Sequence, residues 1–345
     1  MQGVSPLLEV EDLKVTFKLD EGLLKAVDGV NIQVPHGRTL GLVGESGCGK
    51  SVAVQAVMRL TPPPGKIDGK ILLQIERSGA QSTVDLAGLH PAGQEIRKIR
   101  GKDIAMIFQE PMTSFSPLYT IGNQIMEAIL LHKTPNQREA REIAVAMLDK
   151  VGISNPTQRI DEYPHQLSGG MRQRAMIAMA LSCDPSLLIA DEPTTALDVT
   201  VQAQVMELMK SLQRQYGMAM LYITHDLGTA RYIGREGRIV VLYLGTIVET
   251  GSLPDVIGHP RHPYLQALLS SVPVPDPEIS RHRKKINLTD LEMPSIVNPP
   301  PGCRFHTRCP FAENRCKDEE PALRMVGTSE VACHLSEKVP VWTLA

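Results

Sequence analysis

The sequence predicts an α/β fold with a mostly parallel sheet and a helical insertion, and three observations carry that prediction. Short apolar runs at 39–43 (TLGLV), 104–108 (IAMIF), 187–190 (LLIA), 219–223 (AMLYI) and 238–242 (RIVVL) are too continuous for half-exposed strands and too short for helices. Stretches of helical periodicity separate them, clearest at 137–150 (QREAREIAVAMLDK) and 169–182 (GGMRQRAMIAMALS). A glycine-rich turn at 44–49 directly follows the first run.

Taken in order, residues 7–17 (LLEVEDLKVTF) alternate well enough for a strand ahead of this layer. A helix is expected from Ser51 to about Leu60, where ThrProProProGly at 61–65 stops it. Between Pro111 and Ser182 the pattern is largely helical, which makes this segment the insertion. Beyond about residue 252 the composition changes. Residues 273–301 hold prolines at 273, 275, 277, 294, 299, 300 and 301, a density that forbids a long helix and predicts a partly extended connector. The basic run ArgHisArgLysLys at 281–285 reads as a solvated face. No internal repeat is visible, so the chain is one unit and not a fused pair.

At 345 residues, and roughly 150 per domain, about two domains are expected. Apolar residues make up 42% and charged residues 21%, the proportions of a globular chain with a sizeable core. Lys and Arg (36) nearly balance Asp and Glu (38), so no bulk positive charge is available for gripping nucleic acid. No apolar run reaches the roughly 18 residues of a membrane span, and no basic residue precedes Lys14, so no secretory leader is expected. These features predict a soluble, cytoplasmic protein.

The cysteines are unevenly placed. Cys48 and Cys183 stand alone, while Cys303, Cys309, Cys316 and Cys333 run C-x5-C-x6-C-x16-C. Without export, disulfides explain them poorly, and a metal or cluster site becomes the leading reading. Structural zinc usually starts from a pair two to four residues apart, and none exists here. Four wider-spaced thiolates suit a [4Fe–4S] cluster, with Zn²⁺ or unligated thiols in a small hydrophobic fold as the alternatives.

The stretch Gly44-Glu45-Ser46-Gly47-Cys48-Gly49-Lys50-Ser51 fits G-x-x-x-x-G-K-[ST] between a strand and a helix, the context in which this motif binds nucleotide. Glycines let consecutive backbone N–H groups turn inward around phosphate oxygens, and the helix N-terminus, running on through Val52, adds its positive end. Lys50 should reach the β- and γ-phosphates of ATP, and the Ser51 hydroxyl should ligate Mg²⁺. The run Leu187–Ala190 ends in Asp191 and Glu192. Adjacent carboxylates at the end of a buried strand need a compensating charge, which Mg²⁺ supplies for Asp191. Glu192 is then placed to polarise a water for attack on the γ-phosphate. Ser168, Gly169 and Gly170 open a further helix; a serine cap explains the first, but not two glycines, which are costly there.

With LSGGMRQR at 167–174, the set resembles the ABC-type ATPases, and the remaining elements fall in that family's order. The resemblance covers 7–251 strongly. It implies a P-loop NTPase cassette over 1–252, with a RecA-like core, an antiparallel β subdomain and a helical subdomain over about 111–182. Gln109 matches the Q-loop glutamine, an Mg²⁺ and nucleotide contact; Ala196-Leu197-Asp198 matches the D-loop; His225 matches the catalytic switch histidine; and Phe17 is the candidate for stacking on adenine. Met171 replaces the commoner glutamine of the signature. The family pattern implies ATP sandwiched between two subunits, with Ser168, Gly169, Gly170 and Asp198 of one completing the site of the other. The insertion and the loop after Gln109 resemble the part that grips a membrane subunit's cytoplasmic helix.

Residues 253–345 narrow the resemblance. His262-Pro263-Tyr264, followed by LeuGlnAlaLeuLeuSerSerValPro, together with GlyCysArgPhe at 302–305 and ArgCysProPhe at 308–311, is similar to the extension of the oligopeptide/dipeptide (and nickel) importer ATPases. Some members of that subfamily carry an iron–sulfur cluster, and LSGGMRQR suits the D-type partner of a heterodimeric pair. The resemblance implies a peripheral subunit on the cytoplasmic face of the cell membrane that energises import of dipeptides or oligopeptides. Its implied partners are a second ATPase, two permeases and, indirectly, an extracytoplasmic binding protein, with no nucleic acid. Nickel or another non-peptide cargo is the alternative within this class. A soluble ABC ATPase acting on nucleic acid or ribosomes is the alternative outside it, but members of that class usually carry a fused second cassette or a coiled-coil interruption, and this sequence shows neither of these nor a basic footprint.

Overall fold

A computed structural model describes residues 5–77, 79–109, 114–195, 197–234, 237–272, 286–340 and 342. Pro111, Ala196, the prolines at 273, 275 and 277, and the basic run 281–285 lie outside them.

The strands are β1 (Leu8–Leu19), β2 (Gly22–Val34), β3 (Thr39–Val43), β4 (Lys66–Arg77), β5 (Ala80–Asp85), β6 (Ile104–Ile107), β7 (Leu187–Asp191), β8 (Ala219–Thr224), β9 (Arg238–Tyr243), β10 (Thr246–Ser252), β11 (Arg324–Val326) and β12 (Ser329–Val331). The helices that position the site are α1 (Lys50–Val57), α2 (Ile121–His132), α3 (Gln137–Lys150), α4 (Gly169–Leu181), α5 (Val199–Tyr216), α6 (Leu227–Ile233) and α7 (Pro263–Ser271). One sheet is antiparallel, in the order β2-β1-β4-β5; the other runs β11-β12-β10-β9-β3-β8-β7-β6. Within it β9, β3, β8, β7 and β6 are parallel neighbours, while β10, β12 and β11 pair antiparallel.

Period-two alternation explains why the parallel strands are apolar throughout: their two faces feed different cores. Leu187 and Ile189 of β7 join Leu221 and Ile223 of β8 in a core closed by the antiparallel sheet and α1. Leu188, Ala190, Met220 and Tyr222, pointing the other way, pack with α2, α3 and α4. The expected insertion is therefore built on the opposite face of the sheet from the antiparallel layer.

The helix expected at Ser51–Leu60 ends at Val57, because Met58 caps it and Arg59 turns into the left-handed region at φ 54°. Helix α3 spans the residues expected of it. Two parts of the C-terminal extension pack on the cassette. Hairpin β11–β12 adds to β10, pairing Glu249 with Val331 and Thr250 with Glu330. Ile239, Val241 and Tyr243 of β9 bury their face against Tyr264, Leu265, Leu269, Phe305 and Trp342. Tyr243, Tyr264 and Phe305 meet with ring centroids 4.7–5.5 Å apart, in tilted and edge-on geometries that add to simple area burial.

Candidate functional site

The phosphate loop joins β3 to α1 at the carboxyl end of the parallel strands, where α/β sheets bind ligands. Helix α1 opens at Gly49 with φ 103° and no side-chain cap, so its first-turn N–H groups are left for a ligand. Only glycine fits at that position, since a Cβ would stand 2.2 Å from Ala26 O. Lys50 is 4% exposed and donates Nζ to Gly44 O at 2.7 Å and Glu45 O at 2.9 Å, a folded-back pose that keeps the ammonium inside the loop. Cys48 is fully buried and its thiol is pushed up by that burial, which opposes thiolate chemistry and leaves its backbone as its contribution.

The acidic end of β7 is brought against this loop. Ser51 Oγ donates to Asp191 Oδ1 at 3.2 Å. Asp191 is 4% exposed, and burial is the main cause holding its carboxyl above the ordinary range, ahead of the opposing Ser51 bond. A divalent cation beside these two oxygens would remove that penalty, and this hard oxygen set fits Mg²⁺. Next to it, Glu192 sits at φ 45°, a left-handed conformation costing about 1–3 kcal/mol for a non-glycine residue. Its N–H bond to Ile223 O (3.0 Å) helps hold it there. Three side chains converge on its carboxylate. Gln109 Nε2 and Thr195 Oγ1 donate to Oε2 at 3.0 and 3.2 Å, and His225 Nδ1 lies 3.0 Å from Oε1. Gln109, Glu192 and His225, 116 residues apart in sequence at the extremes, thus share one cluster.

The signature segment is different. Ser168 caps α4, its Oγ accepting the Met171 N–H at 3.3 Å, so the ordinary capping role is real. Ser168 and Gly169 are exposed, and among the described residues a Cβ on Gly169 would meet nothing within 4 Å. Gln173, wholly buried one turn on, donates to Pro193 O at 2.5 Å and so ties α4 to the residue after Glu192. Its part was not apparent in the sequence. Asp198 caps α5, accepting from Thr200 N at 3.1 Å and Val201 N at 3.0 Å. Phe17 is half-buried on β1 and packs against the edge of the first core.

Cys303, Cys309, Cys316 and Cys333 gather in one corner. Burial pushes Cys303 and Cys333 to about 11 and Cys309 to about 12, against opposing backbone N–H groups and with a smaller push from the neighbouring thiols. The Leu335 N–H donates to Cys333 Sγ at 3.4 Å. Among the described residues, however, no three His, Cys, Asp or Glu side chains are grouped so as to hold a metal ion. The donor chemistry suits iron–sulfur or zinc ligation, yet as placed the four thiols form no closed metal centre. Among the described residues no helix is long and apolar enough to cross a membrane.

The sequence matches the ABC transporter family over residues 27–195 and the oligopeptide/dipeptide transporter C-terminal region over 248–316. It is 47% identical to the oligopeptide transport ATP-binding protein AppD of Bacillus subtilis, covering 93% of each chain. It is 45% identical to the dipeptide transport ATP-binding protein DppD of Haemophilus influenzae, covering 95% of each. The dimeric structure of a bacterial ABC transporter cassette superposes with a TM-score of 0.60 at 27% identity, covering 71% of this chain and 98% of that one. With the nucleotide loop, the acidic strand end and the signature helix in one cassette, this chain belongs to the ABC transporter ATPases, in the branch that carries the oligopeptide/dipeptide transporter C-terminal region.

Proposed function

We propose that this protein is an ATP-hydrolysing subunit of an importer for dipeptides or oligopeptides. The observation that carries the reading is the pairing of one cassette with the oligopeptide/dipeptide C-terminal region, in a chain that aligns nearly end to end with peptide-transport ATP-binding proteins. In this account residues 1–252 bind and cleave ATP and residues 253–345 form the importer-type extension.

Within one chain, Gly44–Val52, Lys50 foremost, hold the phosphates, and Ser51, Asp191 and Gln109 hold Mg²⁺. Phe17 lies against adenine. Mg²⁺ supplies charge neutralisation at the phosphates; the chain's residues do the rest. Glu192 accepts a proton from the attacking water, and His225 and Gln109 orient its carboxylate. Ser168, Gly169, Gly170 and Asp198 face a second, paralogous ATPase and complete its site. The open space at Gly169 supports that arrangement, as does the dimeric state of the cassette it resembles. ATP-driven closure is then passed to two permeases at the cytoplasmic face of the membrane, fed by an extracytoplasmic binding protein. A [4Fe–4S] cluster, with Zn²⁺ as the alternative, is proposed for the four cysteines on their number and wide spacing alone, since as placed they are not drawn into a metal site. Iron and sulfide in anaerobically purified protein test it.

Co-purification followed by vesicle reconstitution tests the whole reading. Two membrane subunits and a second ATPase should accompany this chain, and Mg-ATP should drive dipeptide or oligopeptide uptake. Recovery with ribosomes or DNA, or uptake of nickel but no peptide, would contradict it.

A further inference from the structure

The C-terminal extension braces the phosphate loop from outside, at two points. Arg308, whose side chain is 3% exposed, forks onto Glu45: Nη1 donates to Oε2 at 2.7 Å and Nη2 to Oε1 at 3.1 Å. The guanidinium is seated against the Tyr243 and Phe305 rings, 5.8 and 5.9 Å from their centroids. Its Nε and Nη2 also donate to Asp290 O at 3.3 Å and Leu291 O at 3.4 Å, so its orientation is over-determined. At the same residue, the Glu45 backbone N–H donates to the Tyr264 hydroxyl at 2.8 Å. The second point is reached through the turn between β9 and β10. Arg304 pairs with Asp28 on β2 and donates to Leu244 O at 2.6 Å. The adjoining Gly245 N–H donates to Cys48 O at 2.9 Å.

These contacts bear on the loop's shape, because Glu45 is also where the loop folds on itself. Its carbonyl accepts from Lys50 Nζ at 2.9 Å and from Cys48 N–H at 3.3 Å. Fixing Glu45 therefore fixes both the ammonium and the turn that aims the following N–H groups. An exposed ion pair would contribute little, but here the guanidinium is buried and the carboxylate partly so, and a two-bond fork is geometrically strict in a way lysine cannot reproduce.

We propose that Arg308, assisted by Tyr264 and Arg304, is a positioning residue for nucleotide binding: the extension preorganises the phosphate loop, and ATP affinity is set in part from outside the cassette. The proposal rests on reading 44–51 as the ATP phosphate loop. A preformed site binds more tightly because less ordering remains to be done on binding.

The test uses full-length protein with Mg²⁺ and a fluorescent ATP analogue, with thermal unfolding recorded in parallel. The variants are Lys50→Ala, Arg308→Lys, Glu45→Gln, the Arg308→Lys/Glu45→Gln double and Tyr264→Phe. Lys50→Ala should lose binding, which checks the phosphate-loop reading by itself. Arg308→Lys and Glu45→Gln should each raise the Kd about tenfold, or about 1.4 kcal/mol. The double variant should be no weaker than either single one, since both remove the same contact. Tyr264→Phe, which deletes one oxygen, should raise the Kd about threefold. If Arg308→Lys fails to fold, Tyr264→Phe decides. Binding within twofold of wild type in Arg308→Lys and Tyr264→Phe, while Lys50→Ala binds none, overturns the proposal, as does additivity in the double. Normal binding by Lys50→Ala overturns the phosphate-loop reading itself, and this inference with it.

Discussion

Around Glu192, one chain already supplies Gln109, Thr195 and His225 within 3.2 Å, and Ser51 reaches Asp191 beside them. Around Ser168–Gly170 the chain offers an exposed helix start, and the space over Gly169 is open. The first region is finished by intrachain hydrogen bonds; the second has its donors in place and room for something to come close to them. On the proposed reading, the contrast marks the half of the ATP machinery that a single copy completes. It also separates two kinds of glycine: Gly49 is required because a Cβ there would press on Ala26 O, whereas among the described residues nothing stands within 4 Å of a Cβ on Gly169.

That difference can be broken in several places. The largest effect is expected at Glu192. Glu192→Gln should lower ATP hydrolysis by about 100-fold or more, the usual worth of a general base, while nucleotide binding stays near wild type. Hydrolysis and equilibrium binding measured side by side check this, and normal turnover would remove Glu192 from that role. Ser168→Arg places a long side chain on the open helix start. It should reduce hydrolysis by the assembled ATPase pair about tenfold or more, through lost phosphate donors, yet leave ATP binding to the lone chain unchanged. Weakened binding to the lone chain would show that the signature acts in its own subunit.

The two glycines sharpen the comparison further. Gly49→Ala should destabilise the fold by about 1–3 kcal/mol from the left-handed backbone alone, before the clash with Ala26 O is counted. Gly169→Ala should leave the unfolding temperature unchanged and lower only the hydrolysis rate of the assembled pair. Equal destabilisation of both variants would contradict the distinction.

The smallest effect is expected where the extension docks. Glu249 is wholly buried, and burial raises its carboxyl from 4.5 to about 7, against the opposing N–H bonds from His262 and Arg261. A raised acid favours the folded state while protonated. Its contribution is therefore complete below about pH 4.5 and is lost as pH rises through about 7. Glu249→Gln should flatten that decline, shifting the melting temperature relative to wild type by about 2 °C across the window. Parallel pH profiles for the two proteins would show that Glu249 does not titrate there.

Much of this was readable from local pattern. The five parallel strands announce themselves because burial on both faces leaves no polar alternation, and the phosphate loop because its glycines and lysine occur at fixed offsets. Strands β2, β4 and β5 are not legible from local pattern, and only the family resemblance implies their antiparallel sheet. Their exposed positions carry Lys, Asp, Gln and Ser, as in GLLKAVDGVNIQV, which blurs the signal of a sheet wet on one side. The resemblance assigns Asp198 to a partner's site, and its carboxylate also caps α5. Least legible was the seam between extension and cassette. Arg308 and Glu45 are 263 residues apart, and no periodicity or motif spacing reports a contact of that range. Ahead of the proline-rich stretch Tyr264 reaches the phosphate loop, and beyond it β12 continues the main sheet.

The claim on which the account stands is that this chain forms half of an ATP-closed pair. Light scattering or sedimentation of the Glu192→Gln protein mixed with its paralogous ATPase subunit, with and without Mg-ATP, tests it directly. The account predicts a one-to-one complex that forms only with Mg-ATP and fails to form when Ser168→Arg is added. Two subunits that stay apart with Mg-ATP present, or that associate equally well without it, would contradict the account.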